Sequence, residues 1–505
     1  MRIVFLLCIL SLLFSDVKAK NNAIMIILDD MRPSIGSYGD PRAITPNIDN
    51  LMSRGFFFNN AYAQQAVCAP SRNSFLTSRR PDSLHLYDFY SYWRTFAGNY
   101  TTLPQYLKSQ GYYTASIGKV FHPGITSNFT DDYPYSWSTE TYHPPTEEFM
   151  HAPVCRDTET GKLEQNLLCP VDVISQPGHS LPDIQSVDEA ISLLSNLTEP
   201  YFLAVGLHKP HIPFRFPENF LRMHPLWKFR EPDMNYKPYG MPNVAWNPFV
   251  DVRGRYDVKR LNVTFPFGPI PKDFRAKIRQ HYYASVTYVD HLIGQLLDKV
   301  NFTDTVVILL GDHGWSLGEH AEWAKYSNFE VAVRVPLIIT TPNIPKKKKN
   351  SIDQPVELID IFPTLVDLLD LPSIPTCSYN VGDNLCTEGD SLVPYMKNRN
   401  KRNMRKFAFS QYPRPGPYPT DMPNSDKPRL EEIKIMGYSV RNDRFRYTIW
   451  IGFNSANFKR DWNMVYGEEL YDHSIDSEEN INLATRSQFD KIKMIFMDIL
   501  KAKFP

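Results

Sequence analysis

The sequence predicts an α/β protein, with a large, mostly parallel sheet flanked by helices and a smaller C-terminal domain that adds further strands. Two observations predict the sheet: four apolar, β-branched runs each end in a cluster of ionisable residues, and amphipathic helical patterns lie between them. A third predicts the second domain, because a polar, basic stretch at 397–406 separates this pattern from a last group of strand-like runs.

The four runs are residues 23–28, 112–117, 202–205 and 306–310. Between them Val286, Val289, Ile293, Leu296, Leu297 and Val300 recur at three- and four-residue steps, which predicts one buried helix face. Strands alternating with helices imply a mostly parallel sheet covered on both sides. A further amphipathic stretch, 356–369, is expected to pack as a helix whose longer part opens at Pro363. The 346–349 lysine run reads as a solvated loop. The 397–406 segment reads as a linker and as a site of proteolytic nicking. It divides a catalytic domain, 20–397, from a C-terminal domain, 398–505, with strands expected at 407–410, 433–440 and 446–451. No repeat or low-complexity tract interrupts this plan.

In such sheets ligands bind beyond the carboxyl ends of the strands. Those ends carry Asp29-Asp30, then Gly118-Lys119 with His122, then His208-Lys209, then Asp312-His313. Any one pair alone reads as a solvated loop. Four runs with the same arrangement predict one shared mouth.

Composition narrows the class. Lys plus Arg, 55, equals Asp plus Glu, 55, so no global field steers the chain to nucleic acid or a membrane surface. The chain opens Met1-Arg2, continues with apolar residues 3–14 and places small residues at Val17 and Ala19, the pattern of a signal peptide, 1–19, cleaved before Lys20. That run is short for a bilayer, and no other stretch approaches the ~18 apolar residues that a span needs. The expected route is the secretory pathway. Sequons at Asn99, Asn128, Asn196, Asn262 and Asn301 fit glycosylation along it. Cys8 leaves with the leader. Cys155 with Cys169, and Cys377 with Cys386, are near neighbours that would close short disulfide loops in an oxidising compartment.

Cys68 then stands alone. A lone cysteine is usually an inert buried thiol, but this one opens Cys68-Ala69-Pro70-Ser71-Arg72, followed by Leu76-Thr77-Ser78-Arg79. Pro70 favours a helix start there, and Arg72 returns to the same face one turn later. A cationic helix start suits a thiolate or an oxyanion.

This C-x-P-x-R element with its Leu-Thr-x-Arg sequel resembles the signature of the sulfatase family, in which the cysteine is oxidised to formylglycine; Ser78 stands where glycine is usual. Segments 64–72, 86–89, 91–94, 118–124, 208–214, 312–315, 322–328, 410–415 and 435–439 extend the likeness over essentially the whole mature chain. They resemble the branch that removes the 2-O-sulfate of non-reducing-end iduronate in heparan and dermatan sulfate. The resemblance implies an alkaline phosphatase-like fold with a C-terminal α+β domain containing an antiparallel sheet. It implies a formylglycine at Cys68, made by the formylglycine-generating enzyme, and one Ca2+ held by that residue with Asp29, Asp30, Asp312 and His313. Arg72 would orient the formylglycine, Lys119 and His122 would lie beside it with His122 as base, His208 would protonate the leaving alcohol, and Lys325 would hold a sulfate oxygen. Lys209, His211 and Lys325 become candidates for the uronate carboxylate, and Trp315 for stacking on the sugar. The expected partners are sulfated glycosaminoglycan oligosaccharides, and the expected destination is the lysosome or, alternatively, the exterior. Two readings compete: a sulfatase of another sugar or aryl specificity, and a catalytically silent glycosaminoglycan-binding protein.

Overall fold

The computed structural model describes residues 20–157, 160–198, 200–229, 236–344, 350–378, 384–397 and 406–505. The expected leader, the 346–349 loop and linker residues 398–405 lie outside the described residues.

The main sheet contains β1 (Asn22–Asp29), β2 (Phe56–Phe58), β3 (Tyr113–Gly118), β4 (Tyr201–Pro210), β5 (Thr305–Gly311), β6 (Leu337–Thr340) and β7 (Ser351–Ile352), in the spatial order β7-β2-β6-β5-β1-β4-β3. β1 pairs in parallel with β5 and with β4, and β4 in parallel with β3. β6 runs against both its neighbours, so the sheet is mixed and mostly parallel. All four predicted runs are strands of this sheet, β5, β1 and β4 inside it and β3 at its edge.

Every residue of β1 is buried, as expected of a strand covered on both faces. The period-2 geometry sends alternate side chains to opposite layers. Ile24, Ile26 and Leu28 join Leu203, Val205, Val307 and Leu309 against the helices Pro182–Leu194 and Lys272–Leu297. Ala23, Met25 and Ile27 join Phe202, Ala204, Val306 and Ile308 against Phe75, Leu76 and Phe362. The helices α1 (Cys68–Thr77), α2 (Pro182–Leu194), α3 (Lys272–Leu297) and α4 (Ile361–Leu368) therefore cover the two faces.

The expected helix at 356–369 is shorter than predicted. Val356–Glu357 is a strand paired with Ala61–Tyr62, Leu358–Asp360 is a 3-10 turn, and α4 starts at Ile361 with Pro363 in its first turn. Glu357 is committed to a salt bridge with Arg80 at 2.7 Å, which ties the start of this stretch to the sheet edge.

Beyond the linker, β8 (Ala408–Arg414), β9 (Ile435–Arg441), β10 (Phe445–Asn454) and β11 (Lys459–Asp472) form an antiparallel sheet, with α5 (Asp490–Lys503) packed on it through Phe496 and Leu500. This sheet is docked on the first domain: Gln411 donates its backbone N–H to Gln64 O at 2.8 Å, and Phe409 donates to Glu357 Oε1 at 3.0 Å. Arg446, fully buried, bridges Glu330 of the first domain at 2.5 Å and Glu479 at 2.6 Å.

Both cysteine pairs are disulfides, Cys155–Cys169 and Cys377–Cys386, and Cys68 is free and buried. Asn99, Asn128, Asn196, Asn262 and Asn301 are all exposed. Among the described residues no helix is long and apolar enough to cross a membrane.

Candidate active site

Strand register brings the site together. Leu28 at the end of β1 lies level with Gly311 of β5 and Leu207 of β4, and Gly206 of β4 lies level with Gly118 of β3. The residues that follow, Asp29-Asp30, Asp312-His313, His208-Lys209 and Lys119, emerge at one edge. Gly206 is needed there: a Cβ would collide with the Lys119 carbonyl, which sits against the strand.

Cys68 is the first residue of α1, and its Sγ lies 3.3 Å from Asp29 Oδ1, 3.3 Å from His313 Nε2 and 3.0 Å from Lys325 Nζ. Arg72, one turn on and fully buried, donates Nε to Asp312 Oδ2 at 2.9 Å and Nη1 to the carbonyls of Lys119 and Val120, while Nη2 lies 3.4 Å from Asp29 Oδ1. The helix ends at Ser78, which takes a left-handed φ of 51°. This conformation favours glycine. Here the strained serine is held by its hydroxyl, which donates to Ile359 O at 2.6 Å and meets Thr387 Oγ1 at 2.6 Å.

Lys119 reaches Asp29 Oδ2 at 2.5 Å, and Lys325 reaches Asp30 Oδ1 at 2.7 Å. Asp30, at φ 64°, turns the chain out of β1. Asp312 anchors this turn from the neighbouring strand: its Oδ1 accepts the backbone N–H of Asp30 at 3.1 Å and of His313 at 2.8 Å. Burial opposes charge on Asp29, yet Lys119, His211 and Arg72 hold its carboxyl well below the usual carboxylate range. Burial instead pushes Asp30 up to about 6 against Lys325, and Asp312 up to about 7 against Arg72. Burial, reinforced by Asp29, pushes the Cys68 thiol up to about 12, so as a thiol it is a poor nucleophile.

Asp29, Asp30, Cys68 and His313 each present one ligand atom, all within 4.8 Å of one another. Asp30 Oδ2 is buried without a hydrogen-bond partner, an orphaned acceptor aimed into this group. Two carboxylates and an imidazole, with the Cys68 sulfur standing where a formylglycine oxygen would be, make a donor set that fits a hard divalent cation. Asp312 stands beside it with both oxygens engaged.

The remaining expected residues divide. His208 lies 3.3 Å from Asp183 Oδ1 through Nδ1 and 3.2 Å from Glu147 Oε1 through Nε2. His211 reaches the edge of the cluster, with Nε2 3.9 Å from Asp30 Oδ2. His122 packs its ring on Phe89 at 4.7 Å, and its Nδ1 is buried without a hydrogen-bond partner. Lys209 turns away from the cluster: its ammonium donates to the carbonyls of His211 and Pro213, and burial brings it down to about 7. Trp315 corrects an expectation, because it is fully buried, stacked on Tyr282 at 5.9 Å and edge-on to Phe214, so its ring is core rather than a sugar platform. Sequence reasoning missed Asp183 and Glu147. Neither sits at a sheet-strand end, so the pattern that found the others gave no signal for them.

The geometry is one of a lone cysteine ringed by two lysines, an arginine and four metal-compatible or orienting groups. Residues 21–371 match the family model named Sulfatase. The chain belongs to the sulfatase family. It is 46% identical to the iduronate 2-sulfatase of Homo sapiens over 94% of this chain and 93% of that one, and 46% identical to that of Mus musculus over 92% and 91%. Solved structures share the fold. One is a protein bound to its substrate D-glucosamine-2-N,6-O-disulfate, with a TM-score of 0.69, 20% identity and coverage of 96% of this chain and 97% of that one. Another is the phosphonate monoester hydrolase of Silicibacter pomeroyi, with a TM-score of 0.71, 18% identity and coverage of 96% and 95%. This sulfatase is therefore a sulfuric ester hydrolase with the alkaline phosphatase-like fold, and its family works through a formylglycine and a divalent metal.

Proposed function

We propose that this sulfatase removes the 2-O-sulfate from iduronate at the non-reducing end of heparan and dermatan sulfate, within the lysosome. The observation that carries the reading is the 46% identity to two iduronate 2-sulfatases across nearly the whole of both chains. The test is a substrate panel. Sulfate release is expected from a non-reducing-end 2-O-sulfated iduronide and not from its 2-O-sulfated glucuronide or 6-O-sulfated glucosaminide counterparts; the reverse preference would discard the iduronate assignment while keeping the chemistry.

In this reading Cys68 Sγ marks where the formylglycine oxygens sit. The hydrated formylglycine would supply the nucleophile, and Asp29, Asp30, His313 and Asp312 would hold a Ca2+ beside it, which would supply positive charge to activate that nucleophile and to neutralise sulfate. Arg72, one helical turn from residue 68, ties Asp312 to Asp29 and to the carbonyls of Lys119 and Val120. Lys119 and Lys325 receive the sulfate oxygens, exchanging their contacts with Asp29 and Asp30 for the substrate. His208 gives a proton to the departing sugar oxygen. His122 takes one at the later release of sulfate. His211 receives the uronate carboxylate at the rim.

Two predictions follow from the charges. Burial and Lys119 hold His122 well below its ordinary value, so it stays a neutral base in acid. Burial opposes charge on His208, but hydrogen bonds to Asp183 and Glu147 outweigh it and raise this histidine, so it stays a charged acid above the ordinary imidazole range. The kcat/KM profile, which reports the free enzyme, is therefore expected to be flat across mildly acidic pH, falling on the basic side as pH rises through the raised value of His208. A His208→Gln variant should lose that basic limb. Secondly, Ca2+ added to chelator-treated protein is expected to raise the thermal midpoint in proportion to its logarithmic excess over Kd, with Mg2+ less effective; a midpoint blind to both ions would contradict the proposed ligand set.

A further inference from the structure

His208 lies in an irregularity near the end of β4, where the ladder to β1 skips two residues. The pairing of β4 with β1 jumps from Leu207 opposite Leu28 to Pro210 opposite Asp29, and its pairing with β3 ends at Gly206. The backbone N–H groups of His208 and Lys209 are thereby left to find other acceptors, and a buried amide without one is costly. Asp183, in the first turn of α2 and only 2% exposed, accepts both. Its Oδ1 takes the His208 N–H at 2.6 Å and its Oδ2 takes the Lys209 N–H at 3.1 Å. The same Oδ1 faces His208 Nδ1 at 3.3 Å. One carboxylate thus sets the path of the strand end and the rotation of the ring on it.

We propose that Asp183 is a positioning residue for desulfation, holding the proton of His208 on Nδ1 and so presenting Nε2 as the atom that protonates the leaving sugar oxygen. The inference rests on the reading of His208 as the leaving-group acid. A carboxylate on one imidazole nitrogen fixes the tautomer and stabilises the imidazolium. On the other nitrogen stands Glu147 Oε1 at 3.2 Å, on a side chain 20% exposed at the rim of the cavity that both residues line. Glu147 occupies the place that the leaving oxygen takes when substrate binds. As the nucleophilic oxygen of residue 68 bonds to sulfur and the S–O bond to the sugar breaks, the sugar oxygen keeps the bonding pair and accepts the proton from Nε2. The imidazole becomes neutral with its Nδ1–H still on Asp183, and solvent returns the Nε2 proton after the sugar departs.

The test is a double-mutant cycle of Asp183→Asn and His208→Ala, with kcat and KM measured separately on a 2-O-sulfated iduronide and thermal unfolding recorded for each protein. Asparagine retains an acceptor for one backbone amide but not the charge. Asp183→Asn is expected to lower kcat about 100-fold in the parent enzyme with little change in KM, and by no more than about threefold once His208 is gone. An equal loss in both backgrounds would make Asp183 a structural residue only and overturn the proposal. A His208→Ala enzyme of full activity would instead overturn the reading of His208 itself, and the proposal with it. Should Asp183→Asn not fold, Asp183→Glu keeps the charge and displaces it by one methylene, and the same cycle applies with a smaller first loss.

Discussion

Arg72→Ala is expected to lose sulfate release by at least about 10³-fold and to lower the unfolding free energy by about 3–5 kcal/mol. The magnitude comes from what Arg72 joins. Its guanidinium is fully buried and spans Asp312 at 2.9 Å, Asp29 at 3.4 Å and the carbonyls of Lys119 and Val120. Removing it leaves buried Asp312 without its cation, leaves Asp29 to Lys119, and frees the strand end that carries Lys119. Asp312 would go further towards the protonated form, since Arg72 is the main group opposing its rise. Arg72→Lys is expected to fare little better, because an ammonium cannot fork between a carboxylate and two carbonyls. Chemical denaturation and sulfate release on the same preparations check both halves; a variant with normal stability and activity within tenfold of the parent would show that the cluster does not depend on this bridge.

Lys325→Ala is expected to reduce kcat by about 10²–10³-fold with a modest rise in KM. Its ammonium lies 3.0 Å from Cys68 Sγ and 2.7 Å from Asp30 Oδ1 and is 2% exposed, so it acts on sulfate from a water-poor site. Stability should change less than in Arg72→Ala, because Asp30 already sits near the protonated range at about 6 and can be neutral when its cation leaves. A KM effect without a kcat effect would assign Lys325 to substrate binding alone and take it off the sulfate.

The contrast between these residues and their neighbours shows what a sequence displays. Asp29-Asp30, Lys119, His208 and Asp312-His313 were legible because each follows a buried apolar strand, and strand ends converge in a parallel sheet. Cys68 and Arg72 were legible from their helical spacing and the motif around them. Lys325 follows no strand of the main sheet, only the two-residue strand Trp323–Ala324 of a separate pair, and only the resemblance pointed to it. Asp183 was not legible: its role comes from a register shift between β1 and β4 that no local pattern encodes. Trp315 misled because it adjoins Asp312-His313 in sequence, while its ring packs the other way, on Tyr282 and Phe214. In the C-terminal domain β8, β9 and β10 were visible as apolar runs. In β11 the stretch Lys459 to Glu468 is exposed or half-buried, Met464, Val465 and Tyr466 included, so it carried no burial signal.

The most direct test of the account is sulfate release from a non-reducing-end 2-O-sulfated iduronide by the secreted protein beside its Cys68→Ala variant, with the mass of the residue-68 peptide determined in the parent. The account predicts a formylglycine mass at residue 68, release by the parent, and none by a variant that is folded and keeps both disulfides. Release undiminished in Cys68→Ala, or an active parent carrying only the thiol, would contradict it.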